Sequence, residues 1–256
     1  IPTVDRIFFD AVRSCEVLKL NDNSITEITG NFDNFVSFWN ELHLQNNKLL
    51  SIEPELIKIP SYLDLSLNKI TEIDLKDALT LELKVVSNRL KDLTIGRRLK
   101  KLDASENYHN YFKINCELTE NSLTHLMLSY IKTKIDGKKL DIDFTKFDKL
   151  EVLDLSENNM VHFDIKDITN DRQYALHTLN LRNSHLKTLD NYDRIDEILP
   201  NLKVIDVFDN MFQCKDIDLM IKKFLGLNIT LPDHGKITRS RRCFSDDPNF
   251  PSPENL

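Results

Sequence analysis

The side chains of this 256-residue chain that could carry out chemistry are four cysteines, seven histidines and 41 aspartates and glutamates. Catalysis needs such groups at set spacings, and the spacings here do not supply them. The histidines stand at 43, 109, 125, 162, 177, 185 and 234, with no H-E-x-x-H pair and no C-x-x-C pair to hold a metal. With five glycines, no phosphate-cradling loop and no G-x-S-x-G elbow occurs. Asp154 and His162 follow no triad arrangement. The expectation is a non-enzymatic chain that uses no cofactor and no metal. Its polar side chains recur instead at fixed intervals, with both signs of charge, which suits recognition of a protein surface better than a small-molecule pocket.

Those intervals are set by a returning phrase of leucines, L-x-x-L-x-L-x-x-N-x-L. It is clear as LHLQNNKLLSI at 42–52, LDLSLNKITEI at 63–73 and LDLSENNMVHF at 153–163. With the asparagine as reference, apolar residues belong at −5, −3, +2 and +5. Asn23, Asn47, Asn68, Asn88 and Asn158 have all four, Asn107 has His109 at +2, and Asn210 keeps Ile205, Val207 and Phe212. Two further copies put Ile131 and Ser184 at the reference position. Nine copies spaced 19 to 27 residues apart are leucine-rich repeats. Each L-x-L is a short strand whose alternate side chains face opposite ways, so the leucines point inward and the residues between them outward. The asparagine turns the chain, and its amide satisfies backbone groups the turn would leave buried and unpaired. The predicted fold class is an α/β solenoid, a leucine-rich-repeat horseshoe with a parallel β-sheet on the concave face, about nine repeats and a C-terminal cap.

The outward positions −6, −4 and −2 then form the candidate binding face. The −4 column reads Lys19, His43, Asp64, Lys84, Asp103, Met127, Asp154, Asn180 and Asp206, flanked by Tyr62, Lys101, His125, Arg182 and Phe208. Asp and Ser in L-D-L-S strands also serve simply to keep such a face soluble. The returns between strands vary in length, which predicts an irregular convex side of extended chain and short helices. Asp193–Leu199 is the best helix there, with Ile195, Ile198 and Leu199 inward and Pro200 beyond it. Cys116–Asp148 departs most from the repeat: it lacks the asparagine, carries Lys132, Lys134, Lys138 and Lys139, and precedes Leu150 with a long insertion.

A hydrophobic content of 41% supports a continuous core, and a net charge of −7 with a pI near 5.5 argues against nucleic acid as partner. Basic clusters at Arg97, Arg98, Lys100 and Lys101, and at Lys236, Arg239, Arg241 and Arg242, read as solvated surface. No run of eighteen apolar residues occurs, so no membrane span is expected. The predicted boundaries are an N-terminal cap segment at 1–14, repeats at 15–212, a disulfide-closed C-terminal cap at 213–250 and a tail at 251–256, whose Glu254-Asn255-Leu256 matches the start of a common tag-protease site. In the first of these, Ile7, Phe8, Ala11 and Val12 have helical spacing and would cover the open end of the sheet. Cys15 and Cys116 fall four to five coils apart, about 20 Å at the spacing of parallel strands, too far for one bridge.

Cys214 closes an N-x-F-x-C ending of the last coil, and a helical pattern follows with Ile217, Ile221, Phe224 and Leu225 on one side. That ordering resembles the cysteine-flanked C-terminal cap of extracellular leucine-rich-repeat proteins, and the resemblance implies a Cys214–Cys243 bridge and an oxidising compartment. Asn228-Ile229-Thr230 is the only N-x-S/T sequon and lies inside this cap.

The run LPNLKVIDVFDNMFQCKDIDLMIKKFLG at 199–226 with Cys243, and the weak fifth coil LKKLDASENYHNYFKINC at 99–116, are similar to the mosquito leucine-rich-repeat immune proteins of the LRIM and APL type, most of all the APL branch. The resemblance covers nearly the whole chain. It implies a secreted haemolymph protein of innate immunity. Such a protein pairs with a second leucine-rich-repeat protein through regions beyond this chain and holds a complement-like thioester-containing protein ready against parasites. The alternatives are a direct pattern-recognition ectodomain that binds microbial surface ligands, and an intracellular leucine-rich-repeat regulatory subunit.

Overall fold

The computed structural model describes residues 2–107, 113–116, 121–131, 142–169 and 175–234. The chain forms two compact units, Ile1–Lys134 and Ile135–Leu256. The division falls inside the stretch where the repeat is weakest.

The first unit runs β1 (Thr3–Asp5), α1 (Arg6–Val12), β2 (Val17–Lys19), β3 (Glu27–Thr29), β4 (Glu41–His43), α2 (Pro54–Ile57), β5 (Tyr62–Asp64), β6 (Glu72–Asp74), β7 (Glu82–Lys84), β8 (Asp92–Thr94), β9 (Lys101–Asp103), β10 (Lys113–Asn115) and β11 (His125–Met127). The second runs β12 (Val152–Asp154), β13 (His162–Asp164), β14 (Thr178–Asn180), β15 (Thr188–Asp190), α3 (Ile195–Ile198), β16 (Val204–Asp206) and α4 (Cys214–Gly226), with short 3-10 turns between them.

Each predicted L-x-L gives a three-residue strand, and within each unit consecutive coils pair in parallel with no register slip. In the first unit Leu18, Leu42, Leu63, Leu83, Leu102 and Leu126 are successive partners along β2, β4, β5, β7, β9 and β11. In the second, Leu153, Leu179 and Ile205 align along β12, β14 and β16. These side chains and the −3 residues, Leu44, Leu65, Val85, Leu155 and Leu181 among them, are buried. A one-residue slip would turn every leucine to solvent, which is why the register holds.

The asparagine column works as expected, and its geometry repeats from coil to coil. The Oδ1 of Asn68 accepts from Leu49 N in the preceding coil, while its Nδ2 donates to Leu44 O in that coil and to Leu65 O in its own. Asn47, Asn88 and Asn107 repeat the pattern, accepting from Ile25 N, Ile70 N and Leu90 N. Asn107, whose copy departs from the pattern at His109, is wholly buried. Asn23 opens the column; among the described residues its amide donates to Leu20 O and Asn21 O, both in its own coil.

The column one residue earlier was not foreseen. Asp22, Asn46, Leu67, Ser87, Glu106, Tyr130, Glu157, Asn183 and Asp209 all take left-handed backbone, with φ between 52 and 58°. The turn needs that conformation before each reference residue, although most of these side chains do not favour it.

Behind the first sheet the returns are more regular than predicted. A second layer of short parallel strands forms: β1 pairs with β3, β6 and β10 flank β8, and β13 pairs with β15. Gly96 follows β8 where a Cβ would stand 2.0 Å from Leu75 O, so only glycine fits there. The predicted helix at 193–199 is a 3-10 turn, Tyr192–Arg194, running into α3, with Ile195 and Leu199 buried.

The two ends need correction. In α1 the inward residue is Phe9; Ile7 is 76% exposed and Ala11 is exposed. Aromatic packing overrides the aliphatic pattern, since Phe9 lies 5.5 Å from both Phe32 and Trp39. Arg6 stacks on Phe35 at 4.4 Å, and Trp39 Nε1 donates to Val12 O, tying the helix down. Asp5 caps it by accepting from Phe8 N. In α4 the buried residues are Ile217, Met220, Ile221 and Phe224, while Leu225 faces outward at 48% exposure.

Candidate functional site

The strands place the predicted face residues in ranks. In the first unit Lys19, His43, Asp64, Lys84, Asp103 and Met127 are cross-strand partners in that order. Beside them run Val17, Glu41, Tyr62, Glu82, Lys101 and His125. In the second unit Asp154, Asn180 and Asp206 align. Such ranks, about 4.8 Å apart, fix the spacing of groups offered to a partner.

The first-unit face is knit from close polar and charged pairs around an aromatic centre. His43 Nε2 lies 3.0 Å from Glu41, and its ring stands 5.2 Å from that of Tyr62. The Lys84 ammonium sits 5.6 Å over the Tyr62 ring. Partial burial works to lower the Lys84 pKa, but the Tyr62 hydroxyl and the Glu82 and Asp64 carboxylates outweigh it, so the ammonium is held above its ordinary value. Burial raises the Tyr62 phenol, and Asp64 adds to it. Lys101 reaches Glu82 at 3.7 Å. Lys19 is exposed, and His125 Nδ1 lies 2.9 Å from Thr124 Oγ1. Asp64 and Asp103 turn inward to accept from the backbone N–H two residues on, at Ser66 and Ser105. Asp64 is thereby largely buried.

The second-unit face is organised by Arg182. Its guanidinium meets Asp209 at 2.7 Å, Asp206 at 3.1 Å and Asp233 at 3.5 Å. Desolvation opposes the Arg182 charge, but Asp206 and Asp209 more than compensate and hold its pKa raised. Asp206 is different: burial pushes its carboxyl above the ordinary range, and the Phe208 amide and Arg182 pull it back only in part. Asp154 accepts from Ser156 N and from Asn180 Nδ2. Beside this network lies a polar depression of about 460 Å³ lined by Ser156, Glu157, Asn180, Arg182, Asn183 and Asp209.

One predicted face residue is excluded. Phe208 has no exposed surface, and its ring lies 6.2 Å from His234, which belongs to the chain returning after α4. The cap that seals the last coil takes this position out of the face. Sequence reading also missed Asp209 and Asp233 as partners of Arg182. Asp209 was detectable, because Asp or Asn recurs one residue before the reference position, at Asp22, Asn46, Asn183 and Asp209. Asp233 comes in only through the fold of the cap.

Cys214, the first residue of α4, is disulfide-bonded, while Cys243 lies outside the described residues. Asn228 is exposed just beyond α4. Among the described residues no group of three or more His, Cys, Asp or Glu side chains is placed to hold a metal. None of their helices is long and apolar enough to cross a membrane. His162 meets Thr188 at 2.8 Å, but this is an exposed pair across β13 and β15, away from the depression.

No known protein family's sequence profile matches the chain, and no curated protein sequence matches it. Among solved structures it is similar to the leucine-rich-repeat domain of APL1B, with a TM-score of 0.60 and 22% identity over 80% of this chain and 65% of that one. It also resembles the LRIM1/APL1C complex, at a TM-score of 0.45 and 17% identity over 96% of this chain and 63% of that one. A third is the functional domain of InlJ from Listeria monocytogenes, at 0.47 and 18% over 82% of this chain and 47% of that one. The chain thus spans less than two thirds of the APL1B domain's length. The fold is a leucine-rich-repeat solenoid.

Proposed function

We propose that this chain is a secreted, non-enzymatic scaffold of innate immunity that binds partner proteins through its strand-lined face. The observation that carries the proposal is the ordered strand face of each unit: polar and aromatic side chains held in rank by buried leucines, and held in place by one another around Tyr62 in the first and around Arg182 in the second. A preorganised surface of this kind loses little side-chain freedom on binding, which favours a macromolecular partner. The sequence resemblance to the LRIM and APL proteins supplies the finer reading. Its partners are a second leucine-rich-repeat immune protein, paired through regions beyond this chain, and a complement-like thioester-containing protein that the pair stabilises against parasites. The Cys214 disulfide supports an oxidising compartment such as haemolymph; the cap resemblance implies Cys243 as its partner.

Capture of haemolymph proteins by the chain, beside charge reversals at Lys19, Lys84, Asp154 and Arg182, tests this. At least one reversal weakens capture by more than about tenfold, or ~1.4 kcal/mol. Equal capture by all four removes the face from the account. Binding to a microbial-glycan array without any protein partner would replace the scaffold with a direct recognition role.

A further inference from the structure

Asn228 follows α4, with its N–H bonded to Leu225 O at 3.1 Å and a left-handed φ of 57°, a conformation asparagine tolerates. The side chain is exposed, and its carboxamide makes no hydrogen bond among the described residues. Ile229 is buried and its N–H bonds Phe224 O, which anchors the tripeptide to the cap. Thr230 is exposed but fixed by its backbone: its N–H donates to Lys203 O, and its carbonyl accepts from Ile205 N beside β16. Acceptor and hydroxyl residue thus both face solvent on a rigid support, and a bulky group on Asn228 disturbs no core contact.

The register also says where such a group would stand. Thr230 bridges to Val204, so it continues the rank of Val152, Thr178 and Val204 at the entry side of the strands. Asp233, three residues on, has crossed to the exit side and reaches Arg182. Asn228 precedes Thr230 and lies on the entry rim, away from the depression beside Arg182.

We propose that Asn228 is an N-glycosylation site whose glycan stands on the entry rim of the second unit, near exposed Leu225, and leaves the Arg182 face open to a partner. This rests on the secreted reading above. In the transfer step the Asn228 amide nitrogen forms a bond to the anomeric carbon of a lipid-diphosphate-linked oligosaccharide. The bond from that carbon to the diphosphate oxygen breaks, the lipid diphosphate leaves, and the amide proton passes to a base.

The test is the chain secreted from insect cells behind a leader, mapped after enzymatic glycan removal in heavy-oxygen water. Labelled aspartate at 228 in most molecules is expected, lost in Asn228→Gln and Thr230→Ala and kept in Thr230→Ser, which separates loss of the sequon from loss of the fold. Secreted protein with Cys214 disulfide-bonded and Asn228 unmodified overturns the site and leaves the secreted reading standing. A free Cys214 thiol in the secreted protein overturns that reading, and with it the basis for a glycan.

Discussion

The asparagine turns of the first unit and the Ser184 turn of the second solve one problem in two ways. In the first unit Asn47, Asn68, Asn88 and Asn107 each satisfy the coil before them with a single carboxamide. In the second, Ser184 stands where an asparagine is expected; its hydroxyl donates to Leu155 O and accepts from Asn158 N at 3.4 Å, but does not reach Met160 N, the group an asparagine Oδ1 would serve. The missing acceptor comes from the backbone, since Met160 N donates to the Ser184 carbonyl; the side chain of Asn210 in the next coil accepts from Leu186 N in the usual way and from Ser184 N as well. The altered turn uses left-handed backbone at both Asn183 and His185. The lesson is that the column conserves satisfied backbone groups, not a residue type. A buried N–H or C=O without a partner costs too much, so the chain bends to pair it.

The faces diverge further, because nothing in the core constrains them. The first unit sets its polar groups in neighbouring pairs, His43 with Glu41 and Lys101 with Glu82, on either side of Tyr62, whereas the second gathers three carboxylates on one guanidinium. Two surfaces of such different electrostatics on one kind of frame are suited to different contacts.

Mutation sharpens the contrast at the turn column. Asn88→Ala removes the acceptor for Ile70 N and the donor to Leu65 O in the buried interior, and should cost about 3 kcal/mol in chemical denaturation. Ser184→Ala forfeits the donor to Leu155 O and the long contact from Asn158 N while its backbone bonds remain, so about 1 kcal/mol is expected. Equal costs would mean the two turns are not differently built.

Arg182→Ala should cost about 1–2 kcal/mol at neutral pH, discounted for the exposure of the cluster. The loss should shrink as pH falls and the carboxylates protonate, and parallel melts at neutral and acid pH would show it. Asp206 also reports directly. Its folded pKa is raised by burial, so it binds its proton more tightly folded than unfolded. Its contribution to stability is full below the ordinary carboxylate range and is lost as pH rises through the raised value. Carboxyl NMR should find that midpoint above the ordinary range, and higher still in Arg182→Ala, where the cation that favours the ionised form is gone. An unmoved midpoint would detach Asp206 from Arg182.

The smallest effect belongs to the left-handed column. Leu67 is strained at φ 57° and 53% exposed, so Leu67→Asn should stabilise by about 0.5–1 kcal/mol. The converse Asn183→Leu in the second unit should lose about as much.

The strands, their register and the asparagine ladder were legible in the sequence because a two-residue alternation and a fixed reference residue leave few arrangements open. Even the weak Asn107 copy obeyed them. The ends were legible only in part. At α1 the choice of Phe9 over Ile7 depends on where Phe32 and Trp39 come to rest, and at the cap the burial of Phe208 depends on the return of His234. Those contacts join residues far apart in the chain without a repeat to announce them. The Arg182 cluster divides the same way: Arg182 and Asp206 follow from the repeat, while Asp233 follows from the cap.

Hydrogen exchange of the purified chain, alone and with its captured partner, tests the binding face most directly. Protection on binding is expected in the peptides of the face strands, 41–45, 62–66 and 82–86 or 152–156, 178–183 and 204–209. Protection confined to the second-layer strands at 72–74, 92–94, 162–164 and 188–190, with the face strands unchanged, would contradict the account.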